Sequence, residues 1–205
     1  MGESHGASVS LALDVMPELL DRAWKGVNWP HESLIESHQD GCAEAWVAQV
    51  LGALLVATGQ SVVLETGGFL GTTSAWLALV LDHMGGGTLI IAEIDSTRAE
   101  VIQKRLDDLP LKNVARSVIA ADIKQVIQNL TPEYVGFAFV DDDHAADHVA
   151  EELELLFPKM APNGLICLHD VWGITDLQKI VRHYGGYSIN LPRLGPAGGL
   201  GIIQV

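Results

Sequence analysis

The hydrophobic positions change period along the chain, and those changes mark the elements. From residue 43 to 55, Ala43, Trp46, Val47, Val50, Leu51, Leu54 and Leu55 recur at helical spacing, and Gly59 supplies the stop. Beyond it, short apolar runs alternate with helical patterns. Strands are predicted over 61–65, 88–93, 115–120, 136–141 and 164–169, and helices over 73–84, 96–106, 123–130, 145–157 and 175–183. Strands over 187–191 and 200–205 close the chain, joined by a Gly/Pro-rich stretch, and Pro162-Asn163-Gly164 reads as a turn. Near the N-terminus a short helix over 17–26 carries Trp24, followed by an aperiodic segment. Apolar strands separated by helices indicate a parallel sheet covered on both faces.

Ligands of such sheets bind beyond the C-terminal ends of the strands. The first predicted strand runs into Glu65-Thr66-Gly67-Gly68-Phe69-Leu70-Gly71 before a helix. Glycine lets the backbone approach a ligand, and a helix N-terminus offers unbonded N–H groups. The spacing Glu65-x-Gly67-x-x-x-Gly71 is not the Gly-x-Gly-x-x-Gly of dinucleotide binding, which argues against an NAD-linked oxidoreductase. The later strands lead into Glu93-Ile94-Asp95, Asp122, Asp141-Asp142-Asp143-His144 and His169-Asp170. A carboxylate after strand 2 can accept from a ribose diol, and one after strand 3 from an adenine amine. An acid-rimmed pocket favours a cationic ligand and repels the phosphates of NAD or ATP. S-adenosylmethionine, a sulfonium with an amino group, fits it.

Composition narrows the partners. The 205 residues suit one α/β domain, and 48% are hydrophobic, enough for a sizeable core. The net charge of −14, with Lys and Arg scattered singly, leaves no basic footprint for nucleic acid and disfavours an anionic membrane surface. Residues 42–58 are too short and too polar to span a bilayer, and the N-terminus lacks the positive flank of a signal peptide. Cys42 and Cys167 need no disulfide in an intracellular chain, and a cytoplasmic location is expected.

The ordered motifs Val63-Leu64-Glu65-x-Gly67-x-x-x-Gly71, Ile91-Ala92-Glu93-Ile94-Asp95 and Ala121-Asp122 resemble those of the class I S-adenosylmethionine-dependent methyltransferases. Phe139 to His144 and Leu153 to Asp170 are similar to a small-molecule O-methyltransferase branch, related to catechol, caffeoyl-CoA and macrolide or glycolipid sugar O-methyltransferases. The resemblance covers about residues 43–205. It implies a Rossmann-like doubly wound sheet, mostly parallel with an antiparallel last strand, in a single domain over 1–205. Residues 1–58 would form an N-terminal helical cap and 59–205 the core. It further implies that Glu65, Gly67, Gly68 and Gly71 frame the methionine end of S-adenosylmethionine. Glu93 would bind ribose, and Asp122 would contact adenine. Asp141 would lie under the methionine moiety or join His169 and Asp170 in holding Mg²⁺ or another divalent cation. Four positions depart from the branch: Asp142 and Asn163 each stand for a glycine, and Ala145-Ala146 replaces a polar and aromatic pair.

Methyl transfer is an in-line displacement on an already activated donor, so alignment is the main task. An alcohol acceptor must also lose its proton. A metal held by Asp141, His169 and Asp170, with Asp143 as a further oxygen donor, could lower the acceptor's pKa. Alternatively His144 could act as general base, with Asp141 and Asp170 in the same catalytic group. Plainer readings stand beside these. Glu93 or Asp122 could cap a helix, and His169-Asp170 could be a structural pair. His148 reads as a helix-face residue. His31, His38, Trp29 and Trp172 are candidates for an acceptor pocket. The altered residues after strand 4 also allow a catalytically inactive, cofactor-binding scaffold. Little chain is inserted after strand 5, so acceptor selection would fall to the N-terminal 40 residues, to 172–174 and to a partner subunit. The expected partners are a small hydroxylated acceptor and a second copy in a homo-oligomer.

Overall fold

A computed structural model describes residues 42–190 and 198–205. Helix α1 (Ala45–Thr58) leads into β1 (Val62–Thr66), α2 (Thr72–His83), β2 (Gly87–Glu93), α3 (Ser96–Asp107), β3 (Val114–Ala120) and α4 (Ile123–Asn129). Then follow β4 (Val135–Val140), α5 (Ala146–Leu156), a 3₁₀ turn (Phe157–Lys159), β5 (Met160–His169), α6 (Thr175–His183), β6 (Tyr187–Ile189) and β7 (Leu200–Gln204). The seven strands form one sheet in the order β3-β2-β1-β4-β5-β7-β6. Neighbours from β3 to β5 are parallel, and β7 runs antiparallel to both β5 and β6. This is the expected Rossmann-like doubly wound sheet. The predicted helix over 17–26, and His31, His38, Trp24 and Trp29, lie outside the described residues.

The two-residue strand period builds two cores. Val63, Leu89, Ile91, Phe137, Phe139 and Cys167 face α1, α2 and α3, while Leu64, Ile90, Ala92, Ala138 and Ile166 face α4, α5 and α6. Each fully buried Leu, Ile or Phe contributes about 1.5–3 kcal/mol. The indole N–H of Trp76 in α2 donates to the Ala48 carbonyl of α1, which fixes α1 against the sheet's helical layer. Gly59, at φ 66°, ends α1 as predicted, with its N–H donating to Leu55 O.

Two boundaries differ from the sequence reading in informative ways. Strand β1 ends on Thr66, so Glu65 is inside the strand, and alternation turns its side chain toward α2. Strand β5 starts at Met160 and runs through Pro162-Asn163-Gly164 instead of beginning after a turn there. Asn163 takes the left-handed conformation (φ 62°), its N–H donates to Val205 O, and Val205 N–H donates back to Gly164 O. Pairing with the chain's last residue thus carries the strand across a local irregularity in its register with β4.

Candidate active site

The C-terminal ends of β1 to β5 open into a cavity of 670 Å³, the size of a small-molecule site. The sheet order arranges its walls. Asp122 follows β3, Glu93 ends β2, Gly67 follows β1, Asp141 to His144 follow β4, and His169-Asp170 close β5; all of them line the cavity. At about 4.8 Å between strands, this row is ~19 Å long.

At one end, each acid is held by backbone. Glu93 is buried, and its two oxygens accept from Phe69 N–H at 2.8 Å and Asp95 N–H at 3.0 Å. A carboxylate has about four acceptor positions, so Glu93 retains capacity for a ligand diol. The cap of α3 is Asp95, which accepts from Thr97 and Arg98 N–H at 2.8 and 3.1 Å. Asp122 does both jobs available to it: one oxygen caps α4 through Lys124 N–H at 2.8 Å, and the residue lines the cavity. Ile94, 76% exposed, adds an apolar surface between the two acids, and the Arg98 guanidinium lies 4.8 Å over the Phe69 ring.

The glycines divide in role. Gly67 lines the cavity at φ 74°, and a Cβ there would lie 2.2 Å from the Asp141 carbonyl oxygen. Gly68 and Gly71 pack instead: a Cβ on either would press on Ile102 of α3. Neither they nor Glu65 line the cavity. Glu65 is 1% exposed, and burial pushes its carboxyl up to about 8, with Ser74 partly offsetting and the charges of Asp141 and Glu93 adding. Near neutral pH it is a protonated acid beneath α2, and its Oε2 has no hydrogen-bond partner among the described residues.

At the other end lies a buried ionic chain. His169 is 5% exposed; its Nδ1 is 2.8 Å from Asp141 Oδ1 and its Nε2 is 2.7 Å from Glu44 Oε2. Glu44 also accepts from Gly198 N–H at 3.0 Å. Burial disfavours the charged ring, but Asp141 and then Glu44 outweigh it and raise the His169 pKa well above the usual imidazole value. Burial likewise pushes the Glu44 and Asp141 carboxyls up, and their histidine partners hold both below the ordinary range. His169 is therefore an imidazolium donating from both nitrogens. A cation here would have to displace a proton from His169, whose donor atoms nonetheless cluster with those of Asp141 and His144 and with those of Glu44 and Asp170. The half-buried His144 sits above it, with Nε2 3.5 Å from Asp141 Oδ1 and 3.3 Å from Asp170 Oδ2. The Asp141 bond, against burial, raises the His144 pKa. Asp170 takes a left-handed φ of 54°, a conformation costing about 1–3 kcal/mol, which turns it toward this group.

A second histidine shares the wall. His148 Nε2 is 2.8 Å from Asp142 Oδ2, and behind it Glu152 is wholly buried. Burial, and then the Asp142 charge, push the Glu152 carboxyl well above its ordinary value. Sequence reasoning missed Glu44, because a single acid inside an apolar helical pattern reads as surface. It also missed Glu152 and the contributions of Phe69 and Arg98.

A family model described as a methyltransferase domain matches residues 64–171, more than half of the chain, and the protein belongs to that family. No curated protein matches the sequence. Solved structures share the fold at low identity. TomG, an O-methyltransferase of Streptomyces achromogenes involved in tomaymycin synthesis and solved with S-adenosylmethionine, is 18% identical, with a TM-score of 0.66 over 98% of both chains. An O-methyltransferase of Bacillus cereus solved with S-adenosylhomocysteine is 18% identical (TM-score 0.59; 97% of this chain and 99% of that one). A Podospora anserina methyltransferase, also bound to S-adenosylhomocysteine, is 12% identical (TM-score 0.63; 98% and 97%). No helix among the described residues is long and apolar enough to cross a membrane.

Proposed function

We propose that this methyltransferase-family chain transfers the methyl group of S-adenosylmethionine to the oxygen of a small hydroxylated acceptor, with His144 taking the proton. The observation that carries the reading is the single row of strand ends, with Asp122 and Glu93 at one end and His144 with Asp170 at the other. Glu93 and Asp122 present acceptors suited to a ribose diol and an adenine amine, and Gly67 lets the intervening part of the cofactor pass over backbone. The bound cofactor supplies a methyl already activated as a sulfonium. The acceptor oxygen forms the new C–O bond as the S–C bond breaks, and its proton moves to Nδ1 of His144, because Nε2 is buried and turned to Asp141 and Asp170. Asp141 and Asp170 hold that ring and stabilise its charged form after transfer. The locked His169 imidazolium keeps Asp141 ionised and in place.

Of the expected metal donors, Asp141 and Asp170 have suitable oxygens, and Asp141 meets His169 through Oδ1 alone. The proposed proton route uses His144 and needs no ion. A cytoplasmic location is supported by the buried free thiol of Cys167. The homo-oligomer rests on the short chain between β5 and β7, and the partition into a 1–58 cap and a 59–205 core belongs to the same reading.

The test is calorimetry with S-adenosylmethionine and S-adenosylhomocysteine, followed by turnover against a panel of phenols, catechols and sugar alcohols. Both ligands should bind, and S-adenosylhomocysteine should be released with an acceptor. A folded protein that binds neither ligand rejects the proposal. Binding with no turnover across acceptor classes would favour the scaffold reading suggested by Ala145-Ala146.

A further inference from the structure

The proposed transfer makes no use of Asp142, His148 or Glu152. His148 and Glu152 are four residues apart on α5 and project from one face of it, and Asp142 meets them from the loop after β4. His148 Nε2 lies 2.8 Å from Asp142 Oδ2 and 3.8 Å from Glu152 Oε2, and Nδ1 is 4.0 Å from Asp143 Oδ2. One donor atom from each of Asp142, His148 and Glu152 lies within 4.8 Å of the others.

Glu152 is the second observation. It is 0% exposed, its Oε2 is 3.8 Å from His148 Nε2, and neither oxygen has a partner at full hydrogen-bond geometry among the described residues, although Asp142 and Thr66 act on it at longer range. Asp142 Oδ1 is also without one. A buried polar group left unbonded is costly, and native chains rarely leave three such atoms together. Position 152 shares its helix face with Val149, Leu153 and Leu156, where an apolar side chain would pack without that penalty. A compact cation that accepts both imidazole and carboxylate would satisfy all three atoms. Donors bound at 2.0–2.2 Å around one ion are about 3.0–3.5 Å apart, and the observed separations of 2.8 and 3.8 Å bracket that range. An imidazole in the set disfavours Mg²⁺, which takes oxygen and keeps its waters, and suits Zn²⁺ and similar ions.

The geometry points to a divalent transition-metal site of the Zn²⁺ class on Asp142, His148 and Glu152, separate from the Asp141–His169 chain. Asp142 and His148 line the cavity, so the ion enters from there and water completes its shell. The bound ion ties the loop after β4 to α5 and so stiffens one wall of the cavity.

The experiment titrates chelator-treated full-length protein with Zn²⁺ by calorimetry, beside His148→Ala, Asp142→Gly and Asp170→Ala. Wild type should bind one equivalent that weakens about 100-fold or more in His148→Ala and in Asp142→Gly, and that persists in Asp170→Ala. Zn²⁺ should raise the Tm of wild type and not that of His148→Ala. Two variants at partly exposed positions guard against one failing to fold. The proposal is overturned if wild type binds no more Zn²⁺ than His148→Ala, or if the equivalent is lost in Asp170→Ala alone. None of these readouts involves S-adenosylmethionine, so the result is independent of the methyl-transfer reading.

Discussion

Two histidine–carboxylate groups stand side by side on the same cavity wall, and they solve the same electrostatic problem differently. Around His169, both ring nitrogens meet carboxylates, one from α1 and one after β4, at 2.7 and 2.8 Å. Around His148 one contact is close, and a fully buried carboxylate remains without a hydrogen-bond partner. The first group is complete within the chain; the second, as proposed, takes an added ion. The difference teaches that a similar donor list, two acids and a histidine, gives a salt-bridged strut or an ion site according to which lone pairs are left over.

The largest test of this contrast is a matched pair of substitutions. His169→Leu leaves Glu44 and Asp141 buried without their cation and should destabilise by about 3–5 kcal/mol in thermal or denaturant unfolding. His148→Leu in metal-free protein should change stability by less than about 1 kcal/mol, because the close pair it severs, with Asp142, is partly exposed. Equal losses for the two would erase the distinction.

Next comes His144, the proposed general base. Removing a general base typically lowers turnover by about 10²–10⁴-fold, and His144→Ala should fall in that range with S-adenosylhomocysteine affinity kept. Its raised pKa sets the sign of the pH profile. The base must be neutral, so turnover in wild type rises with pH through a midpoint above the ordinary value of about 6.5. A wild-type profile flat across that range would remove His144 from the role.

Glu65 offers a probe of the same interior away from both histidines. Its folded pKa, about 8, is above its ordinary 4.5. Between these values the folded state holds a proton that the unfolded state has lost. Stability is therefore fully present below about pH 4.5 and declines as pH rises toward 8, by an amount on the order of a few kcal/mol. Glu65→Gln should abolish that component, measured as Tm against pH, and leave the protein more stable than wild type at pH 9.

The smallest expected effect concerns ions. In His148→Ala protein, which lacks the second group's nitrogen donor, EDTA should alter turnover less than twofold, because the proton moves to His144. A tenfold loss restored by Mg²⁺ would instead place a cation on Asp141 and Asp170.

Much of this was legible in the sequence. The alternation of apolar strands and helices sufficed for the doubly wound sheet, and the acids at strand ends marked one rim of the cavity. Gly67, Glu93, Asp122, Asp141, His144, His169 and Asp170 all reach it, as read from their places after strands. Glu65 does not: alternation along β1 places it on the face of Val63, toward α2, and a place near a strand's end does not show which face a side chain takes. The role of Glu44 was invisible because it depends on a contact with a distant strand, which no local pattern encodes. Likewise, β5 extends through Asn163 only because the chain's last residue is there to bond with it.

The reach of Glu44 has a consequence in time as well as in space. Its carboxylate joins His169, 125 positions later, and Gly198, 154 positions later. Closing such loops is slow compared with forming a local helix or a neighbouring βαβ unit. The cofactor end of the cavity, built from β1 to β3, can take shape while the chain is still being made. The proton-transfer end waits for both remote partners. During synthesis the protein thus acquires the means to hold a methyl donor before it acquires the means to use one.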